Sequence, residues 1–267
     1  MKMLNFFDFY CRSITLTIGA LMLSGCLQTT TQLTNASGRP VPVDVSVLVA
    51  DQTKPRPTVL IAHGSDGLQP YYRELATQVA GWGYNAVLID HYSRRGIGIH
   101  TGRIVEGARG FERARDMLDA ARWVRSQHWH SGGIGVIGVS QGGAGVFALV
   151  NSLMMDAMDV HPRSERLPFS AAVALYPGCL ITPPPTIPTI PTMMHLAEDD
   201  DLARIVHCVP RNDPSYTVHV YPGVTHSFDN ALIAGLRLSF THRYDPAATA
   251  LSRQRTREFL SKHLKDR

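Results

Sequence analysis

Apolar and polar positions follow two different periods along this chain. From Val43 to Val49 they alternate residue by residue, which predicts a half-buried edge strand. Thr58 to Ala62 and Ala86 to Asp90 are instead nearly continuous apolar runs, as expected of strands covered on both faces of a parallel sheet. Between these runs, Tyr71 to Gly81 has helical spacing and stops at Gly81-Trp82-Gly83. Val105 to Gln127 carries Phe111, Ala114, Met117, Leu118, Ala121 and Val124 on one helical stripe and predicts a long amphipathic helix. A strand through Ile134, Val136 and Ile137 follows, then an apolar helix through Val150. Strands are expected at Ala171 to Leu175, Thr189 to Leu196 and Thr217 to Tyr221, with a closing helix from Ala247 to Leu264. Pro183 to Pro191 is too rich in proline for a helix and reads as a loop. The order implies an α/β fold, a mostly parallel central sheet with helices on both faces.

The start of the chain breaks this pattern. An uncharged run from Ser13 to Leu23 is short for a membrane span and ends in Leu23-Ser24-Gly25-Cys26. Small residues before a cysteine resemble the lipobox of bacterial lipoproteins. Residues 1–25 are then expected to be a signal peptide and Cys26 the lipid-modified first residue of the mature protein. Leu27, where an aspartate would favour the inner membrane, implies the outer one. Residues 26–42, rich in Thr, Asn, Ser and Gly, are expected to be a flexible tether, and 43–267 the folded domain.

Composition adds limits. A chain of 267 residues, 44% apolar and 18% charged, can build one large core. Its net charge of +4 is scattered rather than grouped, so no nucleic-acid partner is expected. The oligomeric state is not indicated. Export would remove Cys11 and lipidate Cys26, leaving Cys179 and Cys208 of the four cysteines. In an oxidising compartment such a pair favours a disulfide, the other reading being two buried thiols.

The candidate chemistry centres on Gly138-Val139-Ser140-Gln141-Gly142, a G-x-S-x-G string between a strand and a helix. Such a turn lifts a serine hydroxyl clear of the backbone and sets it at the positive end of a helix. Serine attack needs a base, and the base needs an orienting carboxylate. Glu198-Asp199-Asp200-Asp201 and Thr225-His226-Ser227 each follow a predicted strand, in the order serine, acid, histidine. His63-Gly64-Ser65-Asp66-Gly67 follows another strand and could supply an oxyanion amide at Ser65 beside that of Gln141. His128 and His130 lack neighbouring thiols or carboxylates and make a poor metal pair, so neither metal nor cofactor is expected.

These pieces together resemble the dienelactone hydrolase family, a branch of the α/β-hydrolases. The resemblance spans about Thr58 to Leu264. It rests on His63 to Leu68, Gly83 to Asp90, Tyr92 to Gly96, Gly138 to Gly143, Tyr176 to Cys179, Ala197 to Asp201 followed by Cys208, His226 to Asp229 and Tyr244 to Ala248. It implies that Asp200 is the triad acid, with Asp199 the alternative, and that Arg95 lies near the pocket, where it could bind an anionic substrate group. Two departures stand out. The founding members use a cysteine where this chain has Ser140, and a glutamate where it has Gly64, so an ester, lactone or thioester is a more natural substrate than the dienelactone. A peptidase, an acyltransferase or a non-catalytic envelope binding protein are the alternatives.

Overall fold

The computed structural model describes residues 30–35, 37–98, 108–153, 167–208, 214–236 and 239–265. The expected signal peptide and Cys26 lie outside the described residues. Among the described residues, eight strands form one sheet: β1 (Thr31–Thr34), β2 (Pro40–Leu48), β3 (Arg56–Ala62), β4 (Asn85–Asp90), β5 (His130–Val139), β6 (Ala171–Leu175), β7 (Thr192–Ala197) and β8 (Tyr216–Tyr221). Their order is β1-β2-β4-β3-β5-β6-β7-β8. Strand β2 runs antiparallel to both β1 and β4, and every pairing from β4 through β8 is parallel. This is the mostly parallel sheet that the alternation of elements implied, in the α/β-hydrolase arrangement that the family resemblance implied.

The α-helices that lie within the described residues include α1 (Pro70–Gly81), α2 (Gly110–Arg125), α3 (Gln141–Leu149) and α4 (Pro246–His263). Adjacent strand residues feed opposite faces of the sheet. Leu60 and Ala62 join the core under α2 and α3, with Met117, Leu118 and Phe147. Val59 and Ile61 join the core under α1 and α4, with Leu75, Val79 and Leu260. Local chemistry sets the helix ends. Pro70 and Pro246 occupy first helical positions, where a missing N–H costs nothing. Asp245 caps α4 by accepting the Ala248 N–H at 2.8 Å.

Two expectations are corrected at the amino-terminal edge. The segment 26–42 is not all tether, because β1 and the start of β2 lie inside it. Leu33 is fully buried, which contributes about 2 kcal/mol to holding this strand beside β2. Strand β2 is therefore an interior strand, flanked by β1 and β4. Cys179 and Cys208 are joined by a disulfide that closes a sequence separation of 29 residues.

Candidate active site

The carboxyl ends of β3, β5, β7 and β8 converge on Ser140, which sits between β5 and α3. Its backbone has φ 51° and ψ −112°, a left-handed conformation that costs a side-chain-bearing residue about 1–3 kcal/mol. The turn is held from both sides: Ser140 N–H donates to Leu175 O at 2.9 Å, and Ser140 O accepts from Gly178 N–H at 3.1 Å and Ala144 N–H at 3.2 Å. Close packing explains the flanking glycines. A Cβ at Gly138 would stand 2.3 Å from Gly142 O, and one at Gly142 would stand 2.2 Å from Ala62 O.

His226 and Asp200 complete the constellation. His226 Nε2 lies 3.0 Å from Ser140 Oγ, and its Nδ1 lies 2.7 Å from Asp200 Oδ2. A carboxylate can only accept there, so Nδ1 carries the proton and Nε2 offers its lone pair to the serine hydroxyl. The other carboxylate oxygen of Asp200 accepts from the Leu202 N–H at 3.0 Å and the Ala203 N–H at 2.6 Å, fixing its orientation. Both residues are buried. Asp199 instead points outward and pairs with Arg243 at 3.4 Å, so Asp200 is the acid that meets the histidine. Edge-on rings of Tyr176 and Phe240, 4.8 and 5.2 Å from the imidazole, hold it laterally.

A cleft of about 190 Å3 opens over this group and includes Ser65, Asp66, Tyr71, Leu202, Ile233 and Phe240 in its walls. Ser65 lines the cleft together with Ser140, and Gln141 opens α3 directly after the serine. The Gly64 segment packs against the nucleophile, since a Cβ there would meet Ser140 Cβ at 3.3 Å.

Arg95 does not face this cleft. Its guanidinium grips Asp116 through two bonds of 2.8 and 3.0 Å and donates to His91 O at 2.8 Å. Asp116 also accepts from His91 Nδ1 at 2.6 Å. Burial pushes the Asp116 carboxyl up to about 6, with Arg95 pulling in the opposite direction. A buried carboxylate needing a cation is the physical reason that Arg95 turns inward.

Three features escape a reading of the sequence. Arg113, on α2, is completely buried and donates to His63 O at 2.6 Å, Gly64 O at 3.2 Å, Ala108 O at 2.8 Å and Tyr92 Oη at 2.9 Å. It therefore braces the segment that carries Ser65. Asp66 accepts from Tyr72 Oη at 2.7 Å, and burial raises its carboxyl above the ordinary range. Asp229 accepts from Tyr71 Oη at 2.6 Å and Tyr176 Oη at 2.7 Å and pairs with Arg253, stiffening the wall behind the histidine. The only sequence signal for Arg113 is its place one turn before Met117 on the stripe that faces α3.

Among the described residues no cluster of His, Cys, Asp or Glu could hold a metal ion, and no helix is long and apolar enough to cross a membrane. Residues 44–264 match the Dienelactone hydrolase family. A curated protein of Azospirillum brasilense named "Putative carboxymethylenebutenolidase" is 35% identical over 81 residues, which are 28% of this chain and 32% of that protein. The chain thus spans about a third of the length of the curated relative it matches. Among solved structures, a dienelactone hydrolase-like promiscuous phosphotriesterase from metagenomic libraries superposes with a TM-score of 0.67 at 17% identity, covering 90% of this chain and 100% of that one. A carboxylesterase from Lactobacillus plantarum superposes with a TM-score of 0.59 at 13% identity, covering 88% and 98%. Likenesses at such identity speak for the fold alone.

Proposed function

This chain belongs to the dienelactone hydrolase family, and from that premise we propose that it is a serine hydrolase of carboxylic esters or close analogues, working through an acyl-enzyme on Ser140. The observation that carries this reading is the unbroken relay from Ser140 Oγ through His226 to Asp200, with contacts of 3.0 and 2.7 Å. Ser140 Oγ attacks the carbonyl carbon as His226 Nε2 takes its proton, and Asp200 stabilises the resulting imidazolium. The oxyanion forms beside the amides of Ser65 and Gln141, where a preorganised donor is worth roughly a hundredfold or more in rate. His226 returns the proton to the leaving alcohol or thiol, and the bond to carbon breaks. Water then attacks the acyl-enzyme by the same relay, releasing the acid.

The test is turnover of short p-nitrophenyl esters by the full chain and by Ser140→Ala. A burst of one p-nitrophenolate per chain, absent from the variant, supports an acyl-enzyme. A folded wild type with neither burst nor turnover favours a binding role. Transfer of the acyl group to an added alcohol or amine in preference to water would make it an acyltransferase.

The same proposal puts the domain outside the cytoplasm, tethered through lipid on Cys26, with the outer membrane favoured by Leu27. Mass spectrometry of the mature amino terminus checks this. A diacylglyceryl cysteine as first residue supports the tether, and an unmodified Cys26 within a longer chain overturns it.

A further inference from the structure

The cleft carries in its walls an ionisable group that the relay does not use. Asp66 lines it, and its carboxylate stands close to the nucleophile: Asp66 Oδ1 and Ser140 Cβ lie 3.0 and 3.3 Å from the single point where a Cβ on Gly64 would stand. The carboxylate is held in that place. Tyr72 Oη donates to Oδ1 at 2.7 Å while accepting the Gly64 N–H at 2.8 Å, so the bond runs through a fully buried phenol fixed at its other end by backbone. Among the described residues in the walls, Asp66 is the only carboxylate and there is no lysine or arginine.

Among the described residues, the guanidinium groups of Arg94, Arg95 and Arg113 are engaged elsewhere. Arg94 pairs with Asp44 at 2.6 Å, Arg95 with Asp116 at 2.8 Å, and Arg113 spends its donors on carbonyls and a tyrosine from behind the loop. Among the described residues of the walls, Leu202, Ile233, Leu236 and Phe240 offer apolar contact. With a volume of about 190 Å3, below the ~300 Å3 of a typical small-molecule pocket, the cleft also suits a small acyl group.

Resting on the hydrolase reading, we propose that Asp66 is a specificity-determining residue that makes the site accept small uncharged or cationic esters and reject those with an anionic acyl group. Two like charges a few ångströms apart in a half-buried site repel strongly enough to reduce kcat/KM by about tenfold or more. A cationic acyl terminus meets the opposite sign and an aromatic wall, and loses nothing.

The experiment uses the full chain and three esters with one leaving group at pH 8: p-nitrophenyl hexanoate, mono-p-nitrophenyl adipate, and p-nitrophenyl 6-(trimethylammonio)hexanoate. The neutral ester is expected to exceed the adipate at least about tenfold in kcat/KM, with the cationic ester at or above the neutral one. In Asp66→Asn, which keeps an acceptor for Tyr72, the gap between neutral and anionic esters closes at least severalfold. Equal turnover of all three by wild type, or an unchanged gap in Asp66→Asn, overturns the proposal while leaving the hydrolase reading intact. No turnover of any ester overturns both. If Asp66→Asn does not fold, the same comparison in wild type at low and high salt decides: a gap that narrows with salt supports charge selection, and a constant gap overturns it.

Discussion

Arg113 Nη1 donates to the backbone carbonyl of His63 at 2.6 Å, tying the first turn of α2 to the end of β3 beside the nucleophile. The same guanidinium reaches Gly64 O, so one buried side chain sets where the backbone before Ser65 can lie. Oxyanion catalysis depends on sub-ångström placement of such backbone. Arg113→Met is expected to lower kcat by roughly tenfold to a hundredfold with KM changed only a few-fold, because the bracing acts on the transition state. Unsatisfied carbonyls should also cost about 2–4 kcal/mol of stability. Arg113→Lys should restore part of kcat. A loss in KM alone would contradict a bracing role.

The elbow glycines give a second expectation. A Cβ at Gly142 would meet the Ala62 carbonyl at 2.2 Å, a backbone atom of the central strand that cannot step aside. Gly142→Ala should therefore lose about 3 kcal/mol or more, or fail to accumulate folded. Urea denaturation measures this, and a loss under about 1 kcal/mol would show that the turn is looser than its geometry.

The disulfide reaches the site through the backbone. Cys179 ends the Tyr176 to Cys179 turn, in which Gly178 donates to Ser140 O, and the bridge ties that turn to Cys208. Chain-entropy reasoning for a separation of 29 residues gives about 3–4 kcal/mol of stabilisation. The double variant Cys179→Ala, Cys208→Ala should lose stability of that order, read from thermal and urea melts. Identical melts would contradict it.

Asp116 carries a pH signature. Its carboxyl is raised in the fold to about 6, above the unfolded value near 3.8, because burial penalises the charged form. A raised carboxyl contributes stability that is fully present below the unfolded value and is lost as pH rises through the folded one. The stability of wild type relative to Asp116→Asn should therefore fall between about pH 4 and pH 7. Parallel denaturation series at several pH values check the slope, and a rise across that window would contradict it.

Legibility followed how local each signal is. Ser140 and the order of acid and histidine could be read because a strand-turn-helix and two strand ends are local patterns. The choice of Asp200 over Asp199 came only from family resemblance, since both carboxylates follow β7 and the turn alone decides which one points inward. Arg95 and Arg113 show the limit. In sequence Arg95 reads as a substrate-facing cation and Arg113 carries no reading of its own, yet Asp116 turns the first inward and loop carbonyls bury the second. Strand β1 was missed for a related reason: Leu33 is a lone apolar residue among polar ones, and only the alignment of Thr31 with Val45 makes it a strand.

The most direct measurement is site-resolved labelling of the full chain with a fluorophosphonate, followed by peptide mass spectrometry. The account predicts that Ser140 Oγ displaces fluoride at phosphorus and that the adduct sits on the peptide holding Ser140. Labelling should be lost in Ser140→Ala and slowed at least about a hundredfold in His226→Gln. An adduct on another residue, or labelling that proceeds at the wild-type rate without His226, would contradict the relay on which the account rests.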